Sequence, residues 1–519
     1  MSSQDHVIEF LSSADAYGGM EGVTCSVVER RETHISIVFL AGQSAYKMKR
    51  AVAYPYLDFS TLERRRDLCE REVSINSRTA PEIYRGIVPV TRNQNGELAL
   101  GGDGEPVEWL VAMHRFDDTM LWDKLAQAGH LARRDFEVLA DRVAWFHANA
   151  GICEGQTSVP AMGATIDGCE QSMSCHVGDL FDAPAVADLF ERTRGAYGSL
   201  KPILASRAET GCVRICHGDL HLGNIFMGAD GPVLFDAIEF NDAFSQIDIL
   251  YDLAFLLMDV DYRVGKHRAT VLMNRYLDHS GNATSVAVLP LFMSVRAAIR
   301  AHVSASAAEH HADPVAATKL RRHASRYLDR AFACFQPVTP RLIAVGGLSG
   351  SGKSRMARVV AGEMDGAPGA RVVRSDTVRK RLAGVEFDDR LPKGSYTPMA
   401  SAHTYDACLA EARQVLETGF PVVLDAVFAK PEERAAAEAL AAELGVPFHG
   451  LWLEAPLHIM RERVEKRRHN ASDATPEVIE AQSGYDLGHI QWQRVDSSGS
   501  KEQTESVGLA LLGLEPDAE

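Results

Sequence analysis

The sequence predicts two domains of different fold class, an α+β domain followed by an α/β domain with a doubly wound parallel sheet. Three observations predict this arrangement. Short β-like runs and one helix precede residue 115, helical spacing of apolar residues dominates 120–335, and strands alternate with helices after 341. Pro337 and Pro340 end the preceding helix. We therefore predict domains at 1–336 and 341–519, the first with a small lobe to about 115 and a large lobe from about 116 to 336.

The early elements follow from alternation and turn residues. Strands are predicted at His34–Leu40 and Ala45–Lys49, and a charged periodic helix at Ser60–Arg78, with Ser60 as N-cap and Glu63 completing a capping box. Three further apolar runs complete an antiparallel sheet: Ile87–Val90, Glu97–Leu100 and Val107–Met113.

The middle of the chain is predominantly helical, with one exception. Apolar residues recur at helical spacing in Phe136–Ala150, Ile247–Asp259 and Leu289–Ser304. Two short strands, Val213–Cys216 and Pro232–Phe235, flank a polar loop that interrupts this pattern.

The last third alternates strands and helices, which predicts a parallel sheet. Helices are expected at Pro431–Leu444 and Pro456–His469. The strands are expected at Leu342–Val345, Ala370–Arg374, Pro421–Leu424, Pro447–Leu453 and Gln491–Val495.

Composition narrows the class of function. Of the 519 residues, 24% are charged and 46% hydrophobic, as in globular proteins, and the net charge of −16 disfavours a broad nucleic-acid surface. The nine cysteines are odd in number and form no C-x-x-C, which indicates reduced thiols. A basic leader and an apolar run of 18 residues are both lacking, so we expect a cytoplasmic protein without a membrane partner.

Residues 347–354 fit the pattern G-x-x-x-x-G-K-[ST] directly after an apolar strand and before a helix. Lys353 is expected to reach the β- and γ-phosphates and Ser354 to ligate Mg²⁺. The residues expected to cradle the phosphates are Gly347, Ser349, Gly350, Ser351 and Gly352. The sequence thus predicts an ATP and Mg²⁺ site in the second domain.

A second constellation lies in the polar loop of the first domain. The loop contains His217-Gly218-Asp219 and then Asn224, and Asp236 follows twelve residues later at the end of a strand. Phosphoryl transfer needs a carboxylate beside the acceptor hydroxyl and oxygen ligands that hold Mg²⁺ against the triphosphate. Asp219 suits the first role, and Asn224 and Asp236 suit the second.

These residues resemble the catalytic loop and metal site of protein-kinase-like phosphotransferases, and the form H-G-D-L-H-x-G-N-I is similar to the aminoglycoside phosphotransferase and choline kinase branch. The resemblance implies a bilobal fold and a phosphate-pairing lysine on a strand. Lys47 matches that lysine, with Lys49 as rival. Its helix partner is then Glu72, with Glu70 as rival, and Met113 falls where adenine is contacted.

The chain departs from that family in two places. No G-x-G-x-x-G loop precedes Lys47, so another turn, Glu32-Thr33-His34, would have to cover the phosphates. The D-F-G triplet is replaced by Asp236-Ala237-Ile238, which keeps only the metal ligand. Both departures argue against protein-kinase activity and leave phosphotransfer to a small molecule in place.

The second domain resembles small P-loop kinases such as those for shikimate, gluconate or polynucleotide ends, and zeta-toxin-like kinases. The resemblance implies that Asp376 accepts the proton of the acceptor hydroxyl; the alternative is that Asp376 only caps a helix. It also implies that Arg379 binds a carboxylate or phosphate group of the substrate. Asp425 ends a Walker B-like strand near Mg²⁺. Arg463 and Arg467 are candidates for lid arginines, although a plain charged helix face explains them almost as well.

The leading interpretation is a phosphotransferase with two ATP sites that phosphorylates small-molecule hydroxyl groups. In one alternative only the P-loop domain is active, and the first domain is a degenerate regulator or ATP sensor. In another the P-loop domain phosphorylates nucleic-acid ends. For Glu239, Asp242 and Asp248, solvated or capping roles are favoured over the binding of a cationic acceptor or a second metal. The acceptor and the oligomeric state stay open.

Overall fold

The structure, a computed structural model, describes residues 4–18, 25–54, 56–281, 283–466 and 472–514. Its strands are β1 Val28–Glu32, β2 Ser36–Ala41, β3 Ser44–Lys49, β4 Ala53–Tyr54, β5 Leu57–Asp58, β6 Tyr84–Arg92, β7 Leu98–Leu100, β8 Glu105–His114, β9 Val213–Ile215, β10 Ile225–Gly228, β11 Gly231–Leu234, β12 Gln246–Asp248, β13 Leu342–Gly346, β14 Arg371–Arg374, β15 Val422–Asp425, β16 Phe448–Glu454 and β17 Gln493–Asp496.

Its α-helices are α1 Asp5–Leu11, α2 Leu62–Asn76, α3 Trp122–Gln127, α4 Arg133–Asn149, α5 Ser158–Ser174, α6 Ala183–Glu209, α7 Asp242–Ser245, α8 Ile249–Arg263, α9 Lys266–Ser280, α10 Leu289–Glu309, α11 Pro314–Ala333, α12 Lys353–Glu363, α13 Ser375–Ala383, α14 Pro398–Glu417, α15 Pro431–Leu444, α16 Leu457–Glu465, α17 Pro476–Ser483 and α18 Lys501–Leu511. The predicted fold class, an α+β part followed by a doubly wound parallel sheet, is confirmed.

A six-stranded sheet with the order β1-β2-β3-β8-β6-β7 forms the first part of the fold, and all its pairings are antiparallel. Alternation along β2 and β3 places Phe39, Tyr46 and Met48 in one buried apolar cluster. Strand β3 lies inside the sheet between β2 and β8, so its side chains are held on both sides.

Helix α2 follows this sheet and begins one residue later than expected. The predicted N-cap Ser60 is wrong, because its hydroxyl and its N–H both bond to Asp58 Oδ1 in a local turn. Thr61 caps the helix instead, and its hydroxyl accepts the N–H of Arg64.

The predicted apolar helices are observed, and one of them has membrane-like composition. Among the described residues, Thr284–Glu309 is long and apolar enough to cross a membrane, and 67% of its apolar window is buried inside the protein. A mostly buried helix of this kind is typical of a protein core.

The second sheet has five strands in the order β14-β15-β13-β16-β17, all parallel. The central strand β13 is buried along its whole length, as expected for a parallel sheet covered on both faces. All five strands coincide with the predicted apolar runs, and α15 has the predicted bounds.

The chain divides into two units that interleave in sequence. Unit 1 comprises Met1–Asp135, Trp145–Ala161 and Arg207–Leu256. Unit 2 comprises Phe136–Ala144, Met162–Ser206 and Leu257–Glu519, so it joins helices from before Pro337 to the parallel sheet. The domain bounds 1–336 and 341–519 stay a prediction.

Within unit 2, helix α9 bonds directly to the strand β14. Arg371 on β14 is completely buried and donates to Asp278 Oδ1 of α9 over 2.7 Å and to Glu411 Oε1 of α14 over 2.8 Å. Asn274 of α9 accepts the N–H of Val372 over 2.7 Å. The strand that leads to Asp376 therefore depends on α9 for its hydrogen bonds and counter-charges.

Candidate active sites

The first site begins on strand β3, where Lys47 and Lys49 point to the same face. Lys47 Nζ lies 2.8 Å from Glu72 Oε1, and Lys49 Nζ lies 2.6 Å from Glu72 Oε2. Glu72 is fully buried on α2. Burial raises the pKa of Glu72, but the two lysines outweigh this and hold that pKa at about 2. One buried carboxylate is therefore shared by both lysines.

Lys47 also reaches the end of β11. Its Nζ lies 2.6 Å from Asp236 Oδ1. Burial alone would lower the pKa of Lys47, but Asp236 and Glu72 hold it well above its usual range. Lys47 thus bridges the helix carboxylate and the proposed metal ligand, whereas the rival Glu70 pairs with Arg66 on the surface. This geometry favours Lys47 and Glu72 over their rivals.

Asp236 has a backbone conformation that non-glycine residues rarely adopt, with φ of +61°. Its N–H donates to Tyr84 Oη over 3.2 Å, and the next N–H, of Ala237, donates to Asn76 Oδ1 of α2 over 2.8 Å. The helix that carries Glu72 thus also orients the segment that carries Asp236. Strained conformations of this kind cluster at functional sites.

Glu239 does not behave as an open ligand. It forms a buried ion pair with Lys49. Burial and the nearby Glu72 raise the pKa of Glu239, and Lys49 opposes that rise. The solvated role is therefore wrong for Glu239, because its side chain is buried, and Lys49 takes the place of a second metal or a cationic acceptor at its carboxylate.

The polar loop brings Asp219 and Asn224 together. Asn224 Nδ2 donates to Asp219 O and to Asp219 Oδ2, each over 3.0 Å. Asn224 O in turn accepts the N–H of Phe235, the residue before Asp236, over 3.0 Å. The loop and the strand end that carries Asp236 are thus joined, and half-exposed Asp219 lies beside them.

Asp252 holds this loop from helix α8. Its carboxylate accepts the N–H groups of His217 over 3.0 Å and Gly218 over 2.9 Å, and it contacts His147 Nε2 over 3.1 Å. Asp252 therefore braces the loop through its backbone. His217 is buried, and burial lowers its pKa, which favours the neutral ring. Its Nε2 donates to Phe235 O over 2.9 Å, which suits a bracing role.

Met113 lies near the end of β8, where it pairs with Ala45 of β3 and Tyr84 of β6. It is half-buried and packs in an apolar cluster with Phe226 of β10 and Phe116. An apolar surface of this kind suits a flat ring such as adenine. The contact with adenine stays a prediction.

The second site is a loop whose backbone conformation requires glycine at particular positions. Gly347, Gly350 and Gly352 have φ of +142°, +86° and +94°. A Cβ at Gly347 would lie 2.4 Å from Leu453 O, and one at Gly350 would lie 2.6 Å from Met460 O. At Gly347 and Gly350 the loop therefore approaches its neighbours too closely for any side chain, and it leads into α12, which begins at Lys353.

Several polar atoms around this loop lack a partner among the described residues. Ser351 is completely buried, and its Oγ makes no hydrogen bond there. Asp425 at the end of β15 is 3% exposed, and its Oδ1 likewise has no partner. Its Oδ2 accepts from Arg374 Nε over 3.1 Å. A buried carboxylate oxygen without a partner, as at Asp425, is a ligand that fits Mg²⁺ or its water ligands.

Asp376 and Arg379 lie on α13, directly after β14. Helix α13 begins at Ser375 with Arg374 in the N-cap position, so the alternative reading of Asp376 as the N-cap is wrong. Arg379 Nη1 donates to Ser395 O over 2.7 Å, and its guanidinium lies 5.1 Å from the Tyr396 ring centre. Both side chains are half-buried and stand at the carboxyl end of the sheet.

The helix α16 brings Arg463 to the phosphate loop. Arg463 Nη2 donates to Ser497 O over 2.5 Å, and its Nη1 lies 3.4 Å from Gly350 O. Arg467 lies outside the described residues. Of the two arginines predicted for the lid, Arg463 is thus the one with a described position beside the loop.

Two residues near this site were missed in the sequence analysis. Arg374 contacts Asp425, as described above, and Gln482 Oε1 accepts the N–H of Ser349 over 2.8 Å. The first could have been suspected from its place at the strand end, two residues before Asp376. The second carries no local signal, because it lies 133 residues from Ser349.

Comparison with known proteins agrees with this description of the second site. The family described as "AAA domain" matches residues 342–485, which span the loop, Asp425 and Gln482. The phosphate-loop motif, the parallel sheet and this match identify a P-loop nucleotide-binding domain.

Full-length relatives come from mycobacteria. Uncharacterized proteins of Mycobacterium bovis and Mycobacterium tuberculosis are 31% identical over 494 residues, which cover 93% of this chain and 94% of theirs. The chain belongs to the same family as these proteins. Both parts of the chain therefore occur together in this family.

Three solved structures illustrate more distant similarity. A sugar kinase from Janibacter is 19% identical and covers 34% of this chain and 96% of its own, with a TM-score of 0.27. An APS kinase from Mycobacterium tuberculosis is 22% identical and covers 34% and 99%, with a TM-score of 0.26. A choline/ethanolamine kinase family protein from Mesorhizobium loti is 12% identical and covers 63% and 98%, with a TM-score of 0.36.

Proposed function

We propose that this protein is an ATP-dependent phosphotransferase with two nucleotide sites, each of which transfers the γ-phosphoryl group of ATP to a hydroxyl group of a small molecule. The two sites lie in separate units, and each combines a lysine with carboxylates suited to Mg²⁺. That combination is what phosphoryl transfer requires, since positioning and charge neutralisation supply most of its catalysis.

One observation carries the two-site form of this proposal: Lys47 contacts Glu72 and Asp236 at the same time. Burying the charge of Glu72 is costly unless the ion pairs that it forms offset the desolvation. A phosphate-pairing lysine, held by a helix carboxylate beside a metal ligand, is the arrangement of an active phosphotransferase. A purely structural domain would gain little from it.

In the first site, Lys47 would pair the phosphates, and Asn224 and Asp236 would hold Mg²⁺ through their oxygens. Bound Mg²⁺ would neutralise charge on the phosphates. Asp219 would orient the acceptor hydroxyl and accept its proton, while Asp252 keeps the loop that carries it in place. Met113 would border the adenine.

In the second site, the backbone N–H groups of the loop and the start of α12 would hold the phosphates, together with Lys353. Ser354 and Asp425 would hold Mg²⁺. Asp376 would accept the acceptor proton, and Arg379 would bind an anionic group of the acceptor. Arg463 would face the charge that develops on the transferred group.

The cytoplasm is the compartment that suits this reaction. All nine cysteines are free, and five of them are buried. Free thiols persist where the surroundings are reducing, and ATP is available there. We therefore place the acceptors among the small molecules of the cytoplasm.

The test is turnover of ATP by the full-length chain with the variants Asp219→Asn and Lys353→Ala. The acceptors are sugars, aminoglycosides, choline-like alcohols, nucleosides and oligonucleotides. We expect each variant to lose phosphorylation of a different acceptor, by about a thousandfold. If Lys353→Ala alone abolishes all turnover, the first domain is a regulator. Phosphorylation of oligonucleotide ends alone would instead favour the nucleic-acid reading.

A further inference from the structure

A side chain from outside the phosphate-loop motif bonds to the loop in the second site. Ser349 N–H donates to Gln482 Oε1 over 2.8 Å, and both residues are buried, at 6% and 8% exposure. Because the donor is a backbone N–H, the atom of the glutamine amide that faces it is the oxygen. This bond orients the whole amide group beside the loop.

The position of Gln482 is set by packing. It lies near the end of α17, and Ile479 on the same helix packs against Met460 and Val464 of α16. Leu348, the loop residue before Ser349, packs against the same apolar cluster. The helix pair and the loop therefore share one small core, which holds Gln482 beside Ser349.

The amide nitrogen of Gln482 has no partner among the described residues, although the side chain is more than nine-tenths buried. It offers two N–H donors next to the loop. The N–H groups of Gly350, Gly352 and Ser354 likewise make no hydrogen bond to a described residue. These nitrogen donors lie within and beside the loop, and an oxyanion is the kind of ligand that such a group of donors binds.

We propose that Gln482 is a phosphate-binding residue of the P-loop site, in which Oε1 stays bonded to Ser349 N–H and Nε2 donates to an oxygen of the terminal phosphoryl group of ATP. The inner phosphates lie at the start of α12, at Gly352–Ser354. Ser349 precedes this segment in the loop, so Gln482 approaches the outer end of the triphosphate. This role rests on the proposed function of the second site.

The competing explanation is that Gln482 only supports the loop. The substitution Gln482→Glu separates the two roles, because a carboxylate still accepts the Ser349 N–H but brings an anion to the phosphates instead of two donors. A supporting role predicts that Gln482→Glu retains nucleotide binding. A phosphate contact predicts that it weakens binding of a nucleotide with a third phosphate.

The experiment measures binding of Mg²⁺ with a non-hydrolysable ATP analogue, and with ADP, to the full-length chain by calorimetry. The part of the binding that Lys353→Ala removes belongs to the P-loop site. We expect Gln482→Glu to weaken the binding of the analogue by about ten- to a hundredfold and the binding of ADP by less than about threefold. Gln491→Glu, the same charge change at an exposed position of this domain, should alter neither.

The outcomes are distinct. The proposed phosphate contact is overturned if Gln482→Glu binds the analogue as tightly as the parent protein does. It is also overturned if the variant weakens the binding of ADP by the same factor as the binding of the analogue. Should the parent protein show no Lys353-dependent binding, the proposed function of this site fails, and the inference fails with it. If Gln482→Glu does not fold, as judged by thermal unfolding, Gln482→Met decides in its place, with about tenfold weaker binding of the analogue alone as the supporting result.

Discussion

The first candidate site gathers charges that lie far apart in the chain, whereas the second builds its phosphate cradle from eight consecutive residues. In the first, Lys47 and Asp236 are 189 positions apart, and Glu72 comes from a separate helix. In the second, glycines determine the shape of the loop. The first site therefore depends on a balance of buried charges, and the second on the absence of side chains. The same chemistry can be encoded by tertiary contacts or by a local motif.

The largest expected effect tests the dependence of the second site on glycine. Gly350→Ala places a Cβ 2.6 Å from Met460 O at a φ of +86°, so the loop cannot keep its shape. We expect Lys353-dependent turnover of ATP to fall by more than about a hundredfold. Kinetic assays on the full-length chain measure this loss.

Gly419 provides the matched control, since it has the same φ of +86° and no atom within 4 Å of its Cβ position. Gly419→Ala should cost about 1 kcal/mol of stability and leave turnover intact. Equal turnover of the two variants would contradict the view that the cradle needs bare backbone at Gly350.

The second prediction tests whether buried ion pairs also stabilise unit 2, which contains the second site with its local phosphate-loop motif. Arg371→Met removes the partner of Asp278 and leaves Glu411 with Arg381 alone. We expect a loss of about 3–5 kcal/mol in the free energy of unfolding of unit 2, measured by denaturant titration. Arg413→Met, which breaks the exposed pair with Glu443, should cost far less, because solvent screens that pair. A loss for Arg371→Met as small as that of the control would refute this dependence.

The third prediction concerns the charge balance of the first site. Glu72→Gln leaves Lys47 and Lys49 without their shared counter-charge, and we expect unit 1 to lose about 3 kcal/mol of stability at neutral pH. The pKa of Glu72 is lowered to about 2, so its contribution is complete above about pH 4.5 and disappears as the pH falls towards 2. Hydrogen exchange of β3 as a function of pH measures both effects.

The control for this prediction is Glu70→Gln on the same helix. Glu70 is half-exposed and pairs with Arg66, so its loss should cost less than about 0.5 kcal/mol. If the difference between the parent protein and Glu72→Gln persisted unchanged down to pH 2, the charge balance would not be what stabilises this site.

The smallest expected effect concerns the strained residue of the first site. Tyr84→Phe removes the oxygen that accepts the Asp236 N–H, which should cost about 1 kcal/mol. We expect Asp219-dependent turnover to fall by a few fold and Lys353-dependent turnover to stay unchanged, since the two sites lie in separate units. Tyr485→Phe, at an exposed position, should change neither rate. An equal fall in the two turnover rates would contradict the view that the two sites function separately.

Much of the fold could be predicted from local pattern. Local pattern located all five strands of the parallel sheet, and the central strand β13 was the clearest, because a strand buried on both faces needs uninterrupted hydrophobic residues. The start of α2 was predicted one residue too early. Ser60 and Thr61 are both suitable caps, and only the turn with Asp58 decides between them.

The candidate sites likewise contain some residues that local pattern predicts and others that only the tertiary packing brings together. The resemblance favoured Lys47 over Lys49, although both lysines point to one face and both reach Glu72. The contact of Lys47 with Asp236 at the end of β11 could not be predicted, because it depends on tertiary packing. Arg374 and Gln482 were missed because their partners are distant in sequence.

By itself, the sequence determined the fold class, the phosphate loop and the polar loop with Asp219 and Asn224, because these depend on residue type over short spans. Only the tertiary structure decided which lysine meets Asp236, that Glu239 is taken by Lys49, and that Gln482 bonds to the loop. The physical reason is that charge pairing and hydrogen bonding act over a few ångströms in space. Those distances are set by the packing of whole strands and helices, which no short segment encodes.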